Sequence, residues 1–174
     1  FFKNNGMELI DVRRIDPKGG SIRCIVQLTS GSRKQSKSIN KLLKIELDLK
    51  IHDSETIKEF GIKLNNIKKE LLKIVKNLKF KGKKIAGYGA SVGVTTVLYN
   101  FGLSKELLDF IVDDNTSRQN LYSPGLHIPV LSPKELIEQK IDYVIILAWQ
   151  YSEPIIKKNQ AFLNQGGHFI KFLP

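Results

Sequence analysis

The stretch from Lys83 to Asn100, KKIAGYGASVGVTTVLYN, constrains the chain more than any other. Ile85 and Ala86 read as the end of a buried strand, Gly87, Gly89 and Gly93 punctuate a turn, and a helix opens near Ser91. Glycine adopts positive φ and lets a ligand approach the backbone, while the first turn of a helix offers unpaired N–H groups and the positive end of its dipole. Ser91 is placed to cap that helix, and Thr95 and Thr96 keep its first turns polar. Gly87, Tyr88, Gly89, Ala90 and Ser91 are therefore candidate phosphate-cradling residues. The spacing is Gly-x-Gly-x-x-x-Gly rather than the Gly-x-Gly-x-x-Gly of dinucleotide folds, so a turn that only lets strand and helix pack closely is the alternative.

The downstream chain supplies strands to flank this unit. Leu108 to Val112 reads as a strand ending on Asp113 and Asp114, and Ile128 to Leu131 as a short strand before a helix from Ser132 with Pro133 at its first position. Ile141 to Ala148 is a continuous apolar strand ending on Trp149, Gln150 and Tyr151. A helix starts at Ser152, Gly166 and Gly167 end it, and His168 to Leu173 makes the last strand. Continuous apolar strands separated by helices imply a parallel sheet covered on both faces, with ligands bound beyond the carboxyl ends of its strands. Those ends bring Gly87 to Ser91, Asp113 to Asn115 and Trp149 to Tyr151 together. Asp113 or Asp114 can accept hydrogen bonds from a ribose, or form a solvated turn; Trp149 can stack on a base or sugar, or simply pack. His127, between two prolines, reads as structural, and His52 and His168 as bystanders. No nucleophile–base pair and no metal-ligand spacing stands out, so no metal site is expected.

Upstream, residues 7–15 and 21–29 read as an antiparallel hairpin around the turn Asp16 to Gly20. A lone two-stranded hairpin is marginal in water, which points to a larger sheet. Residues 30–40 are polar and basic and read as a linker. Between 41 and 51, Leu43, Ile45, Leu47, Leu49 and Ile51 alternate as in a strand, whereas Ile39, Leu42, Leu43 and Leu47 fit a helical face; periodicity alone favours the strand. From Ser54, Ile57, Phe60, Leu64, Ile67, Leu71, Ile74 and Leu78 recur at intervals of three and four, the stripe of an amphipathic helix about 39 Å long at about 1.5 Å per residue.

Composition narrows the class. The 174 residues carry a net charge of +11, but residues 1–80 hold 18 Lys+Arg against 9 Asp+Glu and residues 81–174 hold 10 against 8. The charge therefore lies outside the glycine-turn unit, on lysines scattered along a helix without interleaved aromatics, so no nucleic-acid partner is expected. The single cysteine, Cys24, excludes an internal disulfide. No apolar run approaches the roughly 20 residues of a membrane span, and the start has no signal-peptide layout, so a cytoplasmic protein with no membrane partner is expected. The chain opens without Met on what reads as a helix end, as a fragment of a longer protein would.

Several separated motifs, in order, resemble one family. Gly87-Tyr-Gly-Ala-Ser91, Val112-Asp-Asp-Asn115, Gln119, Pro124-Gly125, His127-Ile-Pro-Val130 and Ile146-Leu-Ala-Trp149 resemble the C-terminal domain of S-adenosylmethionine-dependent sugar C-methyltransferases. Asp16 to Arg23 is similar to the hairpin that closes that family's central domain, and Lys41 to Lys79 to its two connecting helices, which overrules the strand alternation over 43–51. The resemblance implies an α/β chain: a hairpin remnant of a truncated methyltransferase domain (residues 1–30), a basic linker with two helices (31–80), and a Rossmann-like nucleotide-sugar domain (81–174).

It further implies that Gly87, Tyr88, Gly89, Ala90, Ser91, Asp113, Asp114, Asn115, Gln119, Trp149 and Gln150 contact a nucleotide-sugar. By the resemblance, S-adenosylmethionine is held by a central domain and zinc by an N-terminal region, neither of which this chain contains, so the fragment itself is expected to bind no cofactor. Many relatives place a His where this chain has Lys18, as the base that removes a proton beside the sugar keto group, and a Lys where it has Gly93. A lysine with a lowered pKa can do the former work, and a structural or phosphate-binding Lys18 is equally open. Two other classes stand beside this one: an interaction module docking through the 57–78 stripe, and a dinucleotide-binding oxidoreductase fragment.

Overall fold

A computed structural model describes residues 1–173. The chain divides into two compact units, Phe1–Lys63 and Leu64 onward, with one long helix belonging partly to each.

In the first unit β1 (Met7–Ile15) and β2 (Ser21–Leu28) pair antiparallel, with a bulge between Leu9 and Asp11. The turn between them takes Lys18, Gly19 and Gly20 through consecutive positive φ values of 60°, 77° and 124°. Helix α1 (Lys37–Asp48) begins where Ser36 Oγ accepts the Ser38 N–H, three residues before the expected end of the linker. Ser38 then ties the helix to β1, its hydroxyl donating to Asp11 Oδ1 at 2.6 Å and accepting the Val12 N–H at 3.1 Å. The strand alternation over 43–51 is therefore not realised. The half-buried positions are Ser38, Ile39, Leu42 and Glu46, a helical spacing, while Leu43, Ile45, Leu47, Leu49 and Ile51 are exposed.

Helix α2 (Ser54–Phe80) is the amphipathic helix its periodicity predicts. Its seam shifts by one position near the end: Leu71 and Val75 are buried and Ile74 is exposed, so the stripe follows 64, 67, 71, 75 and 78 as 3.6 residues per turn requires. Ile57 and Phe60, in the first unit, are exposed.

The second unit is a six-stranded sheet in the order β5-β6-β4-β3-β7-β8, composed of β3 (Ile85–Tyr88), β4 (Phe110–Val112), β5 (Leu121–Tyr122), β6 (Pro129–Leu131), β7 (Tyr143–Ile146) and β8 (His168–Ile170). All neighbours run parallel except the two-residue edge strand β5. Successive residues of each central strand enter opposite layers. Ile85, Ile111, Ile145 and Leu147 pack with Leu71, Val75, Val94 and Leu98, from α2 and α3 (Val92–Phe101). Ala86, Tyr88, Phe110, Val112, Val144 and Ile146 pack with Leu136 of α4 (Glu135–Glu138), Ile155 of α5 (Ser152–Lys158) and Phe162 of α6 (Gln160–Asn164). This two-sided burial is why the strands read as continuous apolar runs, and the architecture is the Rossmann-like α/β fold with helices on both faces.

Two helices differ from expectation. Regular α-helix starts at Glu135 rather than Ser132, because the Glu135 and Leu136 N–H groups bond three residues back, to Ser132 and Pro133, in a tighter turn. The helix from Ser152 breaks at Asn159, whose side-chain amide donates to the Ile155 carbonyl and to Tyr88 Oη. Among the described residues no helix is long and apolar enough to cross a membrane.

Candidate functional site

Strand order reverses between β3 and β7, which leaves a crevice beyond their carboxyl ends. Gly89 sits at its base with φ 103°, and a Cβ there would lie 2.5 Å from that of Ala148. Only glycine satisfies both the conformation and the space. The Gly89 N–H donates to the Val112 carbonyl at 2.7 Å, and the Leu147 and Ala148 N–H groups to the Tyr88 carbonyl at 3.0 Å, so three strand ends are locked together.

Asp113, 6% exposed, organises the turn. Its carboxylate accepts the Ala90 N–H at 2.6 Å, the Asn115 N–H at 2.8 Å and Arg118 Nη1 at 3.1 Å, while its carbonyl accepts Gln119 Nε2 at 2.9 Å. Both oxygens are occupied by the protein itself. Asp114 is its opposite: the side chain is 44% exposed, with Oδ1 accepting from Tyr88 Oη and Lys158 Nζ, and Oδ2 receiving no donor among the described residues. Burial, more than the neighbouring carboxylates, pushes the Tyr88 phenol up to about 12, which keeps it a neutral donor.

Ser91 occupies the N-cap position of α3 in extended conformation, but its hydroxyl makes no capping hydrogen bond. The N–H groups of Ser91, Val92 and Gly93 donate to no acceptor among the described residues, while that of Val94 is paired with the Ser91 carbonyl. Two hollows meet at this helix end. One, of about 180 Å³, is lined by Tyr88, Gly89, Asp114, Gln150, Tyr151 and their neighbours. The other, of about 160 Å³, runs under Val92, Thr95, Leu121, Tyr122 and Pro124. Ser91 and Arg118 line both. Each is smaller than the roughly 300–1,000 Å³ of a small-molecule site, and the two joined reach its lower end.

Of the residues expected from sequence, Tyr88, Gly89, Ser91, Asp113, Asp114 and Gln150 line the first hollow, and Ala90 lines the second. Gly87 lies within β3 and outside both linings, where a Cβ would meet Leu147 Cδ1 at 2.5 Å. The Asn115 side chain caps the turn at 116–118, accepting from the N–H and the hydroxyl of Ser117. Gln119 braces the loop, and Trp149 is half-buried outside both linings. Lys18 is in the first unit, exposed, with no ion-pair partner among the described residues. Tyr151, expected at the crevice from its strand end, lines the first hollow as well; sequence reasoning missed Arg118, for which a cation five residues past the strand-end acid was the available signal.

A family model described as the C-methyltransferase C-terminal domain matches residues 16–174. Over 173 residues the chain is 29% identical to C-methyltransferase NovU of Streptomyces niveus, covering 99% of this chain and 41% of that relative's length. The chain belongs to the C-methyltransferase C-terminal domain family.

Proposed function

We propose that this chain is the substrate-holding part of an S-adenosylmethionine-dependent sugar C-methyltransferase, binding a nucleotide-sugar through its diphosphate and transferring no methyl group alone. The observation that carries this is the convergence at the start of α3 of three N–H groups with no acceptor among the described residues and the Arg118 side chain, which lines both hollows. Such a constellation favours a multiply charged anion with a substituent on each side. Arg118 spends Nη1 on Asp113, remains 41% exposed and lines both hollows, which leaves further N–H donors for a ligand.

The same charges argue against S-adenosylmethionine here. A sulfonium cation beside Arg118 and a helix N-terminus meets like charge, and Asp113, at the strand end where dinucleotide folds hold a ribose, has both oxygens occupied. The cofactor is therefore assigned to the rest of a longer protein, in keeping with the 41% coverage of the relative. Lys18, in left-handed conformation at the hairpin tip, is the candidate proton acceptor in that longer protein.

Calorimetric titration with UDP, dTDP and S-adenosylmethionine tests the reading. Heat is expected with the two diphosphates, weakened about tenfold by Arg118→Ala, the loss of one charge-assisted contact worth about 1.4 kcal/mol. No response to either diphosphate, or micromolar binding of S-adenosylmethionine, refutes it.

A further inference from the structure

The two hollows differ in chemistry, and that difference orients the ligand. On one side of Ser91 and Arg118 the lining is Val92, Val94, Leu121, Tyr122 and Pro124, with few polar groups. The other hollow is lined by Asp114, Gln150 and Tyr151, and Asp114 Oδ2, the Gln150 amide and the Tyr151 hydroxyl accept from and donate to no described residue. An open carboxylate, an amide and an exposed aromatic ring suit a polyhydroxylated ring: the carboxylate and amide bond hydroxyls and the ring packs against C–H faces. The apolar hollow suits a flat base.

We infer that Asp114 Oδ2 is the acceptor that reads a hydroxyl of the sugar, and that Tyr88, Lys158 and Asn159 are positioning residues holding that carboxylate in place. Asn159 Nδ2 reaches Tyr88 Oη at 3.3 Å, Tyr88 Oη donates to Asp114 Oδ1 at 3.1 Å, and Lys158 closes on the same oxygen. Both donors take Oδ1, which fixes the plane of the carboxylate and leaves Oδ2 for the ligand. Asp113, the other strand-end acid, is excluded by its three protein donors.

This assignment rests on the nucleotide-sugar reading above, and the test separates the two. The chain is titrated with UDP and with UDP-glucose, and the ratio of the two affinities is followed. The native chain is expected to prefer UDP-glucose by roughly tenfold, one hydrogen bond to a charged acceptor. Asp114→Asn is expected to bring the ratio to near one, and Tyr88→Phe and Lys158→Met to lower it three- to fivefold, with Lys158→Arg restoring it. A purely structural role for Tyr88 or Lys158 weakens both probes equally and leaves the ratio unmoved. A ratio near one in the native chain, or a tenfold ratio that survives Asp114→Asn, overturns the assignment while diphosphate binding stands. Silence with both probes overturns the nucleotide-sugar reading and this assignment with it.

Discussion

Asparagine at position 113 keeps the shape of the side chain and removes its charge. In the native turn the two carboxylate oxygens accept backbone N–H groups from Ala90 at 2.6 Å and Asn115 at 2.8 Å, on opposite sides. An amide has one acceptor oxygen, so either orientation sets an NH₂ group against one of those donors. A buried donor left unpaired costs about 1–3 kcal/mol. Losing the pair with Arg118, whose side chain is 41% exposed, adds at most about 1 kcal/mol. Asp113→Asn is therefore expected to destabilise the second unit by about 2–3 kcal/mol. Trp149, the chain's one tryptophan, lies in that unit and reports its unfolding by fluorescence without contribution from the first. With a urea slope of about 1–3 kcal/mol per molar, the midpoint should fall by about 1–2 M. An unchanged slope and a midpoint within about 0.3 M of the native one would refute the role given to Asp113.

Three further outcomes are expected. Gly89→Ala combines a φ of 103° with a Cβ 2.5 Å from Ala148 Cβ and 3.1 Å from the Ala148 backbone nitrogen, and should cost about 2–4 kcal/mol in the same urea assay. Gly93→Lys meets no atom within 4 Å; its gain of about 0.7 kcal/mol in helix propensity is largely offset by a cation at a helix N-terminus, so stability should barely move while UDP binds several-fold tighter by calorimetry, an effect lost at high salt. Tyr88, raised to about 12 by burial, should give a late ionisation step in an absorbance titration. Because its folded value is raised, its stabilising contribution is full below the unfolded value of about 10 and is lost as pH rises through about 12; Tyr88→Phe should remove both the late step and that alkaline dependence.

The parts of the fold legible in sequence are those where one physical demand dominates. Residues 144–147 are apolar without interruption because both faces of β7 are buried, and that pattern has few other readings. Helix α2 is legible for the same reason, with a stripe long enough to average out the single-position shift at Val75. Residues 43–51 were ambiguous because their apolar side chains are exposed; what makes α1 a helix is the Ser36 cap and the Ser38 link to β1, neither visible as periodicity. Strand β5 is two residues held by pairing with β6, too short to leave a pattern.

Within the crevice, the convergence of Gly89, Ser91, Asp114 and Gln150 followed from the strand ends alone. Which of two adjacent acids turns inward did not, since Asp113 and Asp114 exchange roles with a half-turn of backbone. Trp149 and Tyr151 are separated by the same problem: a single 3₁₀ turn at 149–151 brings Tyr151 to the hollow and leaves Trp149 outside its lining.

The most direct test of a diphosphate site at the start of α3 is amide mapping by nuclear magnetic resonance as UDP is added to the isotopically labelled chain. The largest shifts are expected at the N–H groups of Ser91, Val92 and Gly93, with Arg118 side-chain signals moving in the same titration. Saturable shifts centred elsewhere, or none at these three amides at millimolar UDP, would contradict the account.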